Sequence, residues 1–444
     1  MTAASPGRER FAYFDGLRGW AALLVVFHHG MIALDFALYT GTAADSRWSW
    51  DRQVSGTPFV LLATAGNLAV CVFFALSGFV LAHAYSRSQQ TWMGLAVRRY
   101  VRLAIPMLAA CLLSWALLSL RLMHPHEAAR ITRSSWLASQ FHQSPDLIAA
   151  VLEPARRLMG LPVGIDQTYD LSLWTMPIEA QASLALITMF VLFRHLGVVS
   201  DTVKSLAFCV LAMMFLNTYF SLLAFGAALR LFRPQPRPHR SRYSTCLLAA
   251  LALLACFLGT VPYSAARWPI YDWMTRLSQF IMWDTWVWWR PSEVWRLDLW
   301  QHSPESFWHG LGALCIVLAV YLSPHIRAAL SGPISRRLGR ISFPLYVLQA
   351  PLLMVFECDG ILLCQRAGFS PIASALLSAA VFVAASLTIA AALTPLIEGG
   401  AIRLSFLAGN AVDGGIRRLA HSTKSRLGLV SAGGADTREP PSRR

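Results

Sequence analysis

Apolar runs follow one another along almost the whole chain, at 19–38, 66–85, 103–122, 172–193, 204–217, 219–232, 246–262, 307–323, 341–357 and 371–397. A helix needs roughly 20 apolar residues to cross the hydrocarbon core, and lipid leaves no other use for runs of this length and polarity. The pattern predicts an all-α polytopic membrane protein with about ten transmembrane helices. Composition agrees, because 56% hydrophobic and 14% charged residues over 444 positions is too apolar for a soluble globule. The net charge of +15 would suit a nucleic-acid partner. Its arginines, however, lie between apolar runs as membrane topology requires, so membrane lipids and no nucleic acid are expected. The first run is span-length and lacks the short core and small-residue site of a cleavable signal, so it is expected to stay as a span.

Charge bias orients the spans. Segment 86–102 carries Arg87, Arg98, Arg99 and Arg102, segment 324–340 carries Arg327, Arg336, Arg337 and Arg340, and 230–242 carries five arginines, all without one acid. By contrast, 124–170 and 263–306 each set four arginines against five acids. Both termini are therefore predicted cytoplasmic. Region 204–232 reads as two short or re-entrant helices meeting at Asn217, Thr218 and Tyr219, since a single crossing would reverse everything downstream. The membrane domain is predicted over 1–400, with a disordered basic cytoplasmic tail over 401–444. Cys358 and Cys364 fall in the short segment after the ninth run and are open to a loop disulfide or to two free thiols. No Cys/His spacing suits a metal, and none is expected.

Arg18 and His29 stand eleven residues apart on the first run. That is close to three helical turns, so they share a face about 16 Å apart. His28 is rotated away by about 80°. Ionisable groups at such depth are costly unless paired or functional. Glu179 poses the same question inside the fourth run, where a structural ion pair and a catalytic role stay open. Ser77 and Gly78 suit close helix packing. Nine of the sixteen tryptophans lie in 263–308, among them Trp288 and Trp289. They fit either an interfacial belt or a platform for stacking sugars.

Taken together, Asp15 to His29, Phe73-Phe74-Ala75-Leu76-Ser77-Gly78-Phe79, the Arg99/Arg102 pair, Trp174 to Glu179 and Gly339 to Tyr346 resemble the integral-membrane acyltransferase 3 family. The resemblance covers about residues 10 to 395. It implies O-acylation of an extracytoplasmic or lipid-linked glycan hydroxyl with acyl-CoA, most commonly acetyl-CoA, as donor. It also implies a multi-pass protein of a bacterial inner membrane. The family's Arg-(ten residues)-His pattern selects His29, the expected base, with Arg18 and Glu179 beside it in the catalytic set. Imidazole titrates near neutrality and suits proton removal from a hydroxyl. Arg18, Arg99 and Arg102 are expected to hold the donor's phosphates, as permanently charged bidentate groups can. His28, Ser342, Tyr346, Trp288 and Trp289 are candidate substrate contacts. Gln349 departs from the pattern, standing where many relatives carry a histidine. A proton-coupled transporter is the alternative reading, but no inverted repeat or matching pair of broken helices supports it.

Overall fold

The computed structural model describes residues 11–426 apart from 58, 60–61, 63, 87, 162, 165–166, 199, 217, 233–241, 263–268 and 283–302. Within them the elements used below are α1 (Ala12–Leu34), α2 (Gly66–Tyr85), α3 (Trp92–Ser119), α4 (Pro125–Thr132), α5 (Ser135–Ala138), α6 (Leu147–Leu158), α7 (Thr175–His195), α8 (Asp201–Met214), α9 (Tyr219–Phe232), α10 (Arg242–Gly259), α11 (Pro269–Met282), α12 (Pro304–Leu322), α13 (Pro333–Leu352), α14 (Cys358–Arg366) and α15 (Pro371–Arg426). Among the described residues, 7 helical segments are long and apolar enough to cross a membrane. Those segments contain α1, α2, α3, α7, α12, the α13–α14 unit and α15.

The described part of 204–232 forms two short helices, α8 and α9, joined side by side. The Ser205 hydroxyl donates to the Ala228 carbonyl at 2.9 Å. Small residues let the central helices approach closely. A β-carbon at Gly19 of α1 would strike the backbone of Gly339 on α13, and one at Gly339 would strike the Asp15 carbonyl. Gly78 and Gly226 do the same for α2 against α9, which is the packing role expected at Ser77-Gly78.

The bundle has two unlike ends. At the first, called here the arginine end, α1, α3 and α13 begin and α2 finishes. At the other, the capped end, α4, α5 and α6 lie across the bundle. Ser134 donates to the Ile32 carbonyl at the end of α1 at 2.7 Å, and His124 pairs with Asp359 of α14 at 2.7 Å. Glu153 of α6 binds Arg157 and Thr168, each at 2.7 Å, and accepts from the Tyr169 amide at 2.7 Å. This buried set ties the cap to the chain entering α7, and removing one partner would strand a charge.

Several sequence expectations change here. The arginines placed in a loop over 86–102 mostly belong to α3, which starts at Trp92 with the Thr91 hydroxyl capping the Gly94 amide at 3.2 Å. Hydropathy located the span only where the arginines stop, although a helix with a good cap begins earlier. The tail expected over 401–444 is not disordered from its start, because α15 runs unbroken through Arg426. It is rich in good helix formers and docks on the turn before α3. Asp413 accepts from the Thr91 amide at 2.6 Å, Arg417 donates to the Gln89 carbonyl at 2.5 Å, and the Arg98 guanidinium lies 3.6 Å over the Phe406 ring. Cys358 and Cys364 are both free and both belong to α14, whose helical turn points them to different faces. Trp288, Trp289 and most of the arginine stretch 230–242 lie outside the described residues.

Candidate active site

A cavity of about 210 Å³ lies between α1, α2, α3, α7 and α13, lined by Arg18, Arg99, Arg102, Glu179, Ser342 and Tyr346 together with Phe73 and Ser77. Its volume falls below the roughly 300–1,000 Å³ of sites that enclose drug-sized ligands, so it suits a slender chain rather than a whole nucleotide. Residues drawn from five separate stretches of the sequence meet here.

The arginines are held in different ways. Arg99 forms an ion pair with Glu179 across α3 and α7, and its Nε donates to the Ser183 hydroxyl at 2.8 Å. Ser183 in turn donates to the Glu179 carbonyl at 2.5 Å. The carboxylate of Glu179 is therefore engaged by a guanidinium at the cavity wall. Arg102 donates to Glu398 of α15 at 2.6 Å, while its Nη1 is buried without a hydrogen-bond partner. Arg18 has no ion pair among the described residues and sits close enough to Arg102 for their charges to oppose each other. Three guanidiniums against two carboxylates leave positive charge unspent. Such a wall favours an anionic ligand with oxygens for bidentate contact.

At the other side of the cavity Tyr346 is held in place. Its hydroxyl shares a 2.9 Å hydrogen bond with Thr175 and donates to the Ser172 carbonyl at 3.0 Å, and its ring meets Phe73 edge-on at 5.5 Å. Ser342 donates to the Gly339 carbonyl of its own helix at 2.9 Å. Ser342, Tyr346 and Gln349 follow at i, i+4 and i+7, on one face of α13. This stripe leads from the cavity towards the histidines, with the fully buried Gln349 amide beside His29.

Neither histidine lines the cavity. His29 stacks on Trp136 of α5, with ring centroids 5.8 Å apart and planes 12° from parallel, and its Nδ1 is buried without a hydrogen-bond partner. His28 Nδ1 is bonded to the Thr64 carbonyl at 2.5 Å, and its ring fills the space beside Gly66. His28 is thus committed to joining α1 to the segment before α2, whereas the nitrogen of His29 remains uncommitted. Arg18 and His29 share a helix face but belong to separate layers of the site.

Three residues of this region escaped the sequence reading. Trp136 is reached only by folding the cap back onto α1, and nothing local announces that contact. Glu398 and Glu357 carried a signal, each being an acid at the edge of an apolar run. Glu357 ends a π-helical turn, Leu353–Glu357, is 1% exposed, and has no hydrogen-bond partner on either carboxylate oxygen.

Comparison with known proteins supplies the remaining findings. The family profile described as "Acyltransferase domain" (acyltransferase 3) matches residues 11–394. A protein named O-acetyltransferase PaAT-1, from Phomopsis amygdali, is 21% identical over 388 residues, covering 77% of this chain and 72% of the relative. A second relative, Protein 2 in picA locus from Rhizobium radiobacter, is 39% identical over 79 residues, covering 18% of this chain and 28% of its own length. No solved structure matches.

Proposed function

The chain belongs to the acyltransferase 3 family and is a membrane acyltransferase; from that premise we propose that it transfers an acetyl group from cytoplasmic acetyl-CoA to a hydroxyl of an extracytoplasmic or lipid-linked glycan. The observation that carries this reading is the cavity wall of Arg18, Arg99 and Arg102, whose positive charge exceeds that of Glu179 and Glu398. The donor's phosphates bind at the arginine end, which faces the cytoplasm in agreement with the arginine bias of the sequence. Its thioester arm enters the cavity and passes Tyr346 along the α13 stripe towards His29. The Phomopsis relative, named an O-acetyltransferase, supports acetyl as the group carried.

The acceptor comes from the capped end. A groove of about 590 Å³ opens there, lined by His126, Arg130, Arg133, Ser134 and Ser135. It borders the short helix whose Trp136 stacks on His29. In the transfer, His29 takes the proton of the acceptor hydroxyl as its oxygen bonds to the thioester carbonyl carbon. The carbon–sulfur bond then breaks, and the imidazolium returns its proton to the departing thiolate. His29 does the proton work, and the arginines hold the donor without entering the chemistry.

Purified protein in nanodiscs, given labelled acetyl-CoA and a polysaccharide acceptor, is expected to form labelled ester and free coenzyme A in equal amounts. Uptake of a solute into vesicles with no ester formed would replace this reading with the transporter.

A further inference from the structure

A base that takes a proton becomes a cation, and in the proposed transfer that cation forms at His29. No carboxylate pairs with this imidazole among the described residues, and its Nδ1 has no hydrogen-bond partner. The adjacent His28 ring is tilted 54° to it and is bonded to the Thr64 carbonyl. What lies parallel to the imidazole is an indole. The rings of Trp136 and His29 are 12° from parallel with centroids 5.8 Å apart, within the range of an offset stack.

The indole is held there by the backbone around it. α5 is a single turn, too short to keep its shape alone, so its place is set by outside contacts. The Ser134 hydroxyl accepts from the Leu137 amide at 3.1 Å and donates to the Ile32 carbonyl at 2.7 Å, three residues beyond His29 on α1 itself. Asp45 accepts from the Ser135 amide at 2.9 Å, and the Gln140 side chain donates to the Trp136 carbonyl at 2.7 Å. Ser135 and Ala138 of the same turn line the groove at the capped end. One turn of helix thus touches both the groove and the imidazole.

Building on the proposed transferase reading, we propose that Trp136 is the positioning residue for His29: its indole face fixes the plane of the imidazole and steadies the imidazolium formed as the acceptor hydroxyl gives up its proton. Against the neutral base the indole packs as apolar surface and buries no charge. Once the ring is protonated, the negative face of the π system attracts it, and tryptophan does this best of the aromatic side chains at distances up to about 6 Å. A carboxylate in the same place would have to be kept ionised and buried through the whole cycle. Trp136 makes and breaks no bond. The acceptor oxygen bonds to the thioester carbon and the carbon–sulfur bond breaks, while the proton passes from that oxygen to His29 and on to the departing thiolate.

The test compares wild type, Trp136→Leu, Trp136→Phe and a protein carrying a ring-fluorinated tryptophan at position 136, measuring kcat, KM for acetyl-CoA and thermal unfolding in nanodiscs. Fluorination keeps the indole shape and drains negative charge from its face, so it separates attraction of a cation from packing. Trp136→Leu is expected to lower kcat about 10- to 30-fold, the loss that a desolvated cation–π contact amounts to, with KM changed less than about twofold. Trp136→Phe is expected to recover part of kcat. The fluorinated protein is expected to unfold as the wild type does, with kcat lowered severalfold. Wild-type kcat in the fluorinated protein would overturn the steadying of the imidazolium, whatever the stability of the leucine variant. Wild-type kcat in Trp136→Leu, or a change confined to KM, would overturn the role of Trp136 entirely. A wild type that forms no ester with any hydroxyl acceptor would instead remove the transferase reading on which the role rests.

Discussion

Helix α1 carries two clusters of buried polar groups, and they are built on opposite principles. At the arginine end the acids are paired: Glu179 with Arg99, and Glu398 with Arg102, leaving Arg18 as the surplus cation. Towards the capped end a second group stays unsatisfied: His29 Nδ1, both amide atoms of Gln349 and both oxygens of Glu357 lack hydrogen-bond partners. A rigid, charge-balanced frame with one uncommitted cation suits recognition of an anion that is present throughout the reaction. Unsatisfied groups suit a step in which charge appears and disappears, since a partner fixed in the resting state would compete with it. On the proposed reading the two layers, about 16 Å apart along the helix, divide binding from chemistry.

Substitutions that hit one layer sharpen this contrast, and a crossover of effects would break it. The largest effect is expected for His29→Ala, with kcat reduced by about 10²- to 10⁴-fold, the range for losing a general base, and donor affinity unchanged. His28→Ala, by contrast, should lower the unfolding midpoint because the Thr64 bond is lost, yet keep most of kcat. Arg99→Ala comes next, for it strands Glu179 in the bundle, and breaking a buried pair costs about 3–5 kcal/mol. Detergent-solubilised yield and unfolding temperature should both fall. Restoring neutrality with the double variant Arg99→Ala/Glu179→Gln should recover stability without recovering donor binding.

Arg18→Gln should affect binding alone. With no ion pair to break among the described residues, the fold is expected to be indifferent. The donor's KM should rise about 10-fold or more, as expected from losing a charge-assisted contact of roughly 1.5–3 kcal/mol.

The smallest effect concerns Asp35, which follows α1 at the capped end. Burial first, and Asp51 second, push its carboxyl up to about 7, opposed by the Leu38 amide and by Arg47. The unfolded chain ionises this group near 4. Stability should therefore fall as pH rises from about 4 to about 7, and be flat outside that window. Asp35→Asn is expected to raise the unfolding midpoint at pH 8 and to leave it unchanged below pH 4.

The arginine end was largely legible in the sequence and the capped end was not. Glu179 stands out because charges are rare within apolar runs, Arg18, Arg99 and Arg102 because they sit at the entrances of the first and third runs, and helical spacing alone relates Arg18 to His29 and sets His28 aside. Their partners were another matter. Glu398 meets Arg102 across 296 residues, and Trp136 meets His29 across a folded-back cap. No local periodicity encodes either contact. Glu357 was missed for a different reason: an acid at the edge of a run reads as the place where a span ends, whereas here it closes a π turn and is buried. The length of α15 escaped because hydropathy tracks burial in lipid, while helix continuation past 397 depends on propensity and on docking through Asp413 and Arg417.

The division between the layers is tested most directly by equilibrium titration of acetyl-CoA into the wild type, Arg18→Gln and His29→Ala proteins in nanodiscs, with no acceptor present. The account predicts that His29→Ala binds as the wild type does and Arg18→Gln about 10-fold more weakly; full affinity in Arg18→Gln together with lost affinity in His29→Ala would contradict it.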